Sequence, residues 1–182
     1  MPRWLNRYNL MQNASMSAFL ISQLFAAATL VTGMAAFQFR RREHILRGWC
    51  VAALFAAAHF WFLDAYEACF LVLATATRML ISSFTTDARL MYFFLAVSLG
   101  GFALTYQSPV SLLALAATLV GTVGSFQRSE EAVRYTMMAT EMLWAIHNII
   151  VWTPVAIAME VMFFLSNLAG LLRHRKASET AL

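Results

Sequence analysis

The chain has 182 residues, of which 61% are apolar and only 12% charged, and its formal net charge is +4. A water-soluble domain carries about 25% charged residues, so there is too little polar material here to cover a soluble surface. The arginines lie in short segments between apolar runs and form no continuous basic face, which argues against nucleic acid as a partner. The solvent that remains is a lipid bilayer. Each apolar run approaches the roughly 20 residues with which a helix spans hydrocarbon, so the fold class is an all-α polytopic membrane protein.

Seven spans are read in chain order. The N-terminal segment MPRWLNRYNLMQNAS has the charge of a signal-peptide front. The run behind it is too long for that and ends in Arg40-Arg41-Arg42, so residues 15–39 are expected to stay as the first span. The others are expected at 48–63, 68–84, 90–106, 109–126, 135–152 and 154–172, followed by a cytoplasmic tail at 173–182. Loop charge supports an odd count. With the N-terminus outside, the inner side collects Arg40, Arg41, Arg42, Arg47, Arg89, Arg128, Arg134, Arg173, Arg175 and Lys176, and the outer side keeps Arg3 and Arg7. That asymmetry is the positive-inside pattern and predicts the N-terminus out and the C-terminus in.

A weak internal repeat runs through this order. Ala36-Phe37-Gln38 closes one span and His59 sits inside the next; Ser125-Phe126-Gln127 and His147 repeat the pattern in the second half. The expected architecture is therefore two parallel three-helix bundles, 15–84 and 109–172, joined by a linker helix at 90–106 (3+1+3). Carriers built from parallel repeats place their sites near the membrane midplane, between the halves.

Polar side chains inside spans are the candidate site residues, because a charge at a helix centre costs about 2.5–3.5 kcal/mol unless it finds partners. The stretch LWAIHNIIVW carries Trp144, His147 and Asn148, with Glu141 two turns upstream of Asn148. Glu141, Trp144 and Asn148 share a helical stripe, and His147 flanks it. His59 beside Trp61 is the equivalent in the second span. Thr75 and Arg78 lie in the third span, where Arg78 is expected to snorkel toward the inner end. Glu160 and Asn167, seven apart, share a face of the seventh span; Gln23 on the first is a weaker candidate. For all of these the structural alternative is a hydrogen-bond cluster that only holds helices together.

Cys50 and Cys69 fall within apolar stretches and read as small hydrophobes. No CxxC, HExxH, GxGxxG or P-loop pattern occurs, so neither a cofactor nor a metal is expected, and catalysis finds no support.

HFWFLDAY with a downstream TRMLI, the later PVSLLALAATLVGTVGSF, and LWAIHNIIVW followed by AMEVMFFLSNLAGLLR resemble the YgjV-type family of bacterial inner-membrane proteins. The resemblance spans about residues 22–173 and implies an inner-membrane location without naming a substrate. The chain is more distantly similar to the SWEET and PQ-loop carriers, whose plan is also three-plus-one-plus-three. That likeness implies a sugar pocket lined by asparagines of the third and seventh helices. Asn167 fits, but the third span offers only Thr75 or Arg78, and the PQ-loop prolines are absent. The expected activity is binding and permeation of a small polar solute between the two bundles. The alternative is an accessory or assembly protein of the membrane, with a homo-oligomer or another membrane protein as its partner.

Overall fold

The short, charged or proline-containing segments between apolar runs end the helices, and the structure follows them. A computed structural model describes residues 3–106 and 108–179, with side chains from Met16 to Arg175 except Glu67 and Thr105. Its seven helices are α1 (Arg3–Ala36), α2 (Arg42–Phe62), α3 (Tyr66–Phe84), α4 (Ala88–Thr105), α5 (Ser111–Ser125), α6 (Glu130–Ile150) and α7 (Pro154–Glu179). No strand occurs among the described residues.

Helix starts have local causes. Asp87 caps α4 by accepting from Arg89 N at 2.8 Å, and Ser129 caps α6 by accepting from Ala132 N at 3.2 Å. Glu43 opens α2, and Glu130 and Glu131 open α6, where acidic side chains face the positive end of the helix dipole. Pro154 starts α7, at a position where its missing N–H costs nothing. Charged flanks thus extend helices beyond the apolar runs. For this reason α2 and α6 begin about five residues earlier than composition suggests, and α7 continues as helix through residues 173–179.

Two turns repeat in detail. After α2, Ala65 N donates to Phe60 O and Asp64 N to Trp61 O; after α6, Thr153 N donates to Asn148 O and Trp152 N to Ile149 O. Both are Schellman closures, which need a left-handed residue just past the helix. Asp64 (φ 58°) and Trp152 (φ 57°) supply it, and they are the non-glycine residues with positive φ among those described. The two turns are 88 positions apart, the same interval as His59 and His147. The ends of α1 and α5 match as well: Gln38 N donates to Ala35 O, and Gln127 N to Gly124 O.

Consecutive helices pack as α1–α2–α3 and as α5–α6–α7, and α4 lies against α5. Two further contacts join the groups, α1 with α7 and α3 with α5. Both run parallel. Gly33 of α1 lies against Phe163 of α7, where an added Cβ would sit 2.7 Å from the ring, and Arg78 of α3 reaches Thr118 and Thr122 of α5. Hence α1, α3, α5 and α7 all finish at one end. Arg42, Arg47, Arg134 and Arg175 gather there, contacting Ser82, Phe84, Phe39 and Tyr135 respectively. We call it the basic end.

The apolar core fills the half nearer that end. Phe37, Ile45, Leu46, Cys50, Ala76, Met79, Val133, Met137 and Phe163 form it, with Trp49 edge-on to both Phe37 and Phe163. Outside it the surface is apolar, with Phe70, Phe84, Leu104 and Val155 among the most exposed side chains. A face like that suits lipid and not water. Residues 16–36, 42–62 and 154–175 are each long and apolar enough to cross a membrane, and 68–84, 88–104 and 111–125 are shorter apolar helices.

Candidate functional site

Hydroxyls and amides in such a medium must find partners within the protein. Thr29, Thr77, Thr118, Thr122 and Thr140 donate to the carbonyl four residues back on their own helices. Several polar groups instead reach between helices, among them those at the α3–α5 and α1–α7 contacts.

At the α3–α5 contact, the buried Arg78 donates to Thr118 O at 3.3 Å and to Thr122 Oγ1. One turn on, Arg42 Nη2 donates to Ser82 O at 2.6 Å and to Ser125 O at 3.1 Å, tying the C-terminal ends of α3 and α5 together. At the α1–α7 contact, Ser166 Oγ donates to Met34 O at 2.8 Å, and Gln38 Nε2 donates to Ser166 Oγ at 2.8 Å. Arg78 and Ser166 are each the thirteenth residue of their helix. The two contacts thus use the same position along α3 and α7.

Beside the second contact lies a fully buried arginine. Arg134 pairs with Glu130 and donates to Phe37 O at 2.7 Å, Phe39 O at 2.5 Å and Asn167 Oδ1 at 3.3 Å; Asn167 Nδ2 returns a bond to Arg134 O at 3.0 Å. Loop charge counting had put Arg134 in a solvated inner loop. It is instead a helix residue with no exposed surface, because carbonyls left over at the end of α1 need a donor. Gly170 makes room for it: a Cβ there would meet Phe37 O and would lie 2.6 Å from Arg134 Nη1.

The residues expected to share a pocket are spread over the fold. Asn167 belongs to the Arg134 cluster, and Arg78 stops at α5 without reaching the helix end. His59 Nδ1 lies 2.9 Å from Ser22 O of α1, next to Gln23 Nε2, which donates to Ser22 Oγ at 3.2 Å. Trp61 is 59% exposed and edge-on to Tyr66, so it faces outward. Thr75 bonds its own helix at Leu71 O, 3.2 Å away. On α6, Trp144 and His147 pack edge-to-face at 5.4 Å, and His147 Nδ1 is 3.4 Å from Asn148 Oδ1.

Asn148 is two residues from the end of α6 and Asn167 is the fourteenth residue of α7. At 1.5 Å per residue they differ in depth by roughly 15 Å, so they sit at opposite levels of the bundle. Glu141 and Glu160 do come together. They line one cavity between α6 and α7 with Met142, Ala145, Val161, Phe164 and Leu165.

Sequence reading missed Arg42 and Arg134 as bridging groups, along with Ser22, Ser82 and Ser125, whose backbone carbonyls are met from another helix, and Ser166, whose hydroxyl donates to Met34 O. The i, i+4 spacing of Glu130 and Arg134 was the available signal. Among the described residues, no group of three His, Cys, Asp or Glu side chains is placed to hold a metal ion. Cys50 and Cys69 are buried free thiols.

No curated protein and no solved structure matches the chain. A family model does match, over residues 20–178, and it describes a bacterial inner membrane protein. The chain belongs to the Imp-YgjV family of bacterial inner membrane proteins.

Proposed function

We propose that the protein is a carrier that passes a small polar solute between two like-oriented helical triplets, α1–α3 and α5–α7, with α4 as the reversed link. One observation carries this reading. The polar contacts joining the triplets are paired by exchange of the halves, Arg78 with α5 against Ser166 with α1, and both lie toward the basic end. The matched Schellman turns at Asp64 and Trp152 support the same repeat. A bundle clamped at one end by a few hydrogen bonds can open there and close at the other with little loss of packing. The groups at the far end, His59, Trp144, His147 and Asn148, would then meet the solute on the opposite side. In this reading the basic end faces the cytoplasm, because the arginines concentrate there.

The test joins transport to the clamp. The native thiols are first removed (Cys50→Ala, Cys69→Ala), and Ser82→Cys and Ser125→Cys are introduced, both residues being tied to Arg42. Proteoliposomes are screened for uptake of labelled sugars, amino acids and small organic acids, before and after treatment with a short thiol cross-linker. The reading predicts uptake of at least one class, loss of most of that uptake on cross-linking, and none lost in the cysteine-free parent. Uptake indifferent to the cross-link contradicts it.

A second reading, a non-transporting accessory protein, is favoured by α4. That helix packs on α5 and leaves Tyr92, Phe93, Val97 and Leu99 exposed, a face another membrane protein could cover. Co-purification of one stoichiometric partner, lost on Phe93→Ala with Val97→Ala, would support it.

A further inference from the structure

Two arginines at the basic end lie over aromatic rings. Arg175 is 5.8 Å from the ring of Tyr135 and is also paired with Glu131 at 3.2 Å. Arg47 is 4.8 Å from the ring of Phe84, and its Nε donates to Ser83 Oγ at 3.4 Å. Unlike Arg175, Arg47 is joined to no carboxylate among the described residues. The acids closest to it along the chain are committed elsewhere. Glu43, one turn earlier on α2, pairs with Arg41 at 2.6 Å, and Asp87 accepts from Arg89 N as the cap of α4. Arg40 and Arg89 are exposed at the same end and carry the same sign of charge.

Away from the basic end, both helices turn an apolar stripe outward beneath this guanidinium. On α2, Val51 and Leu54 follow Arg47 at the spacing of one helix face, and both are exposed. On α3, Phe84, Leu80 and Leu73 share a face in the same way and are exposed too. Thr77, between the last two, turns its hydroxyl to Leu73 O at 2.9 Å, so it makes no polar demand on that surface. The contact of Arg47 with Phe84 sets the two stripes side by side. At 1.5 Å per residue the seam runs roughly 16 Å from Phe84 to Leu73, about one leaflet of a hydrocarbon core of roughly 30 Å.

We propose that the flank of α2 and α3 binds one anionic phospholipid, with the phosphate on Arg47 and an acyl chain along the apolar seam. A guanidinium held over a ring keeps its outer N–H donors ready for phosphate oxygens, which it can meet two at a time. Its place beside Ser83 and Phe84, the last residues of α3, sets it at the level where a headgroup lies. Over Tyr135 the carboxylate of Glu131 already supplies the counter-charge; over Phe84 the lipid supplies it. A zwitterionic lipid brings its own cation and gains less there. The site stands apart from the carrier reading, since it lies on the lipid-facing flank and not between the triplets.

The probe is palmitoyl-oleoyl phosphatidylglycerol, compared with phosphatidylcholine of the same chains. The full chain in detergent is titrated with each, and the bound lipid is counted by native mass spectrometry. We expect the first phosphatidylglycerol to bind roughly fivefold more tightly than phosphatidylcholine, the weight of one arginine at an anionic lipid surface. That preference should vanish in Arg47→Gln and persist in Arg128→Gln, which removes an exposed arginine elsewhere at the basic end. Leu54→Ser with Leu80→Ser leaves Arg47 in place and should weaken the binding as well. Excess glycerol phosphate, a headgroup without chains, should not displace the lipid. Arg47 is exposed, and an unchanged melting temperature checks that its variant folds. Equal affinity for the two lipids overturns the proposal. So does an equal loss in Arg47→Gln and Arg128→Gln, which reports diffuse attraction to the whole end. Full displacement by glycerol phosphate also overturns it, because the ligand is then a soluble anion.

Discussion

Replacing Arg134 by methionine is the sharpest perturbation of this fold. The arginine has no exposed surface, pairs with Glu130, and donates to Phe37 O, Phe39 O and Asn167. Methionine fills much of the volume but supplies no donor. Phe37 is fully buried, so its carbonyl is left orphaned, whereas the half-exposed Phe39 can turn its carbonyl to headgroup water. Glu130 loses its partner too. Glu130 is 21% exposed and can turn to headgroup water, so the loss is set chiefly by the orphaned carbonyl, about 1–3 kcal/mol. Unfolding in mixed micelles with rising dodecyl sulfate, followed by tryptophan fluorescence, measures the loss; Trp49 lies against Phe37 and reports on this region. Arg134→Lys should recover less than half of the loss, since a point charge cannot serve a carboxylate and two carbonyls at once. A loss below about 1 kcal/mol for Arg134→Met would refute the claim that this cluster closes the basic end.

Other outcomes follow from the same contacts. Gly170→Ala should destabilise by about 1–3 kcal/mol, chiefly by intruding on the backbone carbonyl Phe37 O, and should therefore still destabilise in the Arg134→Met background, as a double-mutant cycle would read. Gly124→Ala should also destabilise, its Cβ lying 2.7 Å from Thr136 Cβ, whereas Gly100→Ala meets nothing within 4 Å and should be neutral or stabilising by up to about 1 kcal/mol in the same assay. Asp64→Gly should raise the melting temperature, because glycine takes the left-handed turn without strain worth about 1 kcal/mol. His59→Phe should cost about 0.6 kcal/mol, the mean for one interhelical hydrogen bond in a bilayer, through loss of the contact to Ser22 O.

The helical plan was legible because lipid imposes a length on each apolar run and charge marks the breaks. The boundaries at Phe62, Phe84 and Ser125 fall within two residues of those read from composition. Helix starts were less legible. Glu130, Glu131 and Arg134 look like a loop by charge, yet capping by Ser129 and the dipole draw them into α6. The candidate residues were found as types but not as a constellation. Helical spacing joins Glu141, Trp144 and Asn148 on one stripe, but depth across two helices depends on where the turn falls, and this separates Asn148 from Asn167. Ser166 was invisible as a bridge, since nothing in a sequence tells a serine that bonds its own helix, as Ser82 does, from one that bonds another.

The most direct measurement of the central claim is a pair of distances by pulsed electron resonance. Spin labels at Leu63 and Val151, the corresponding turns after α2 and α6, report the end away from the arginines, and labels at Phe39 and Arg128 report the basic end. The account predicts two populations in which one pair widens as the other narrows, with a transported solute shifting their ratio. A single fixed distance at both ends, under every solute and lipid condition, would contradict it.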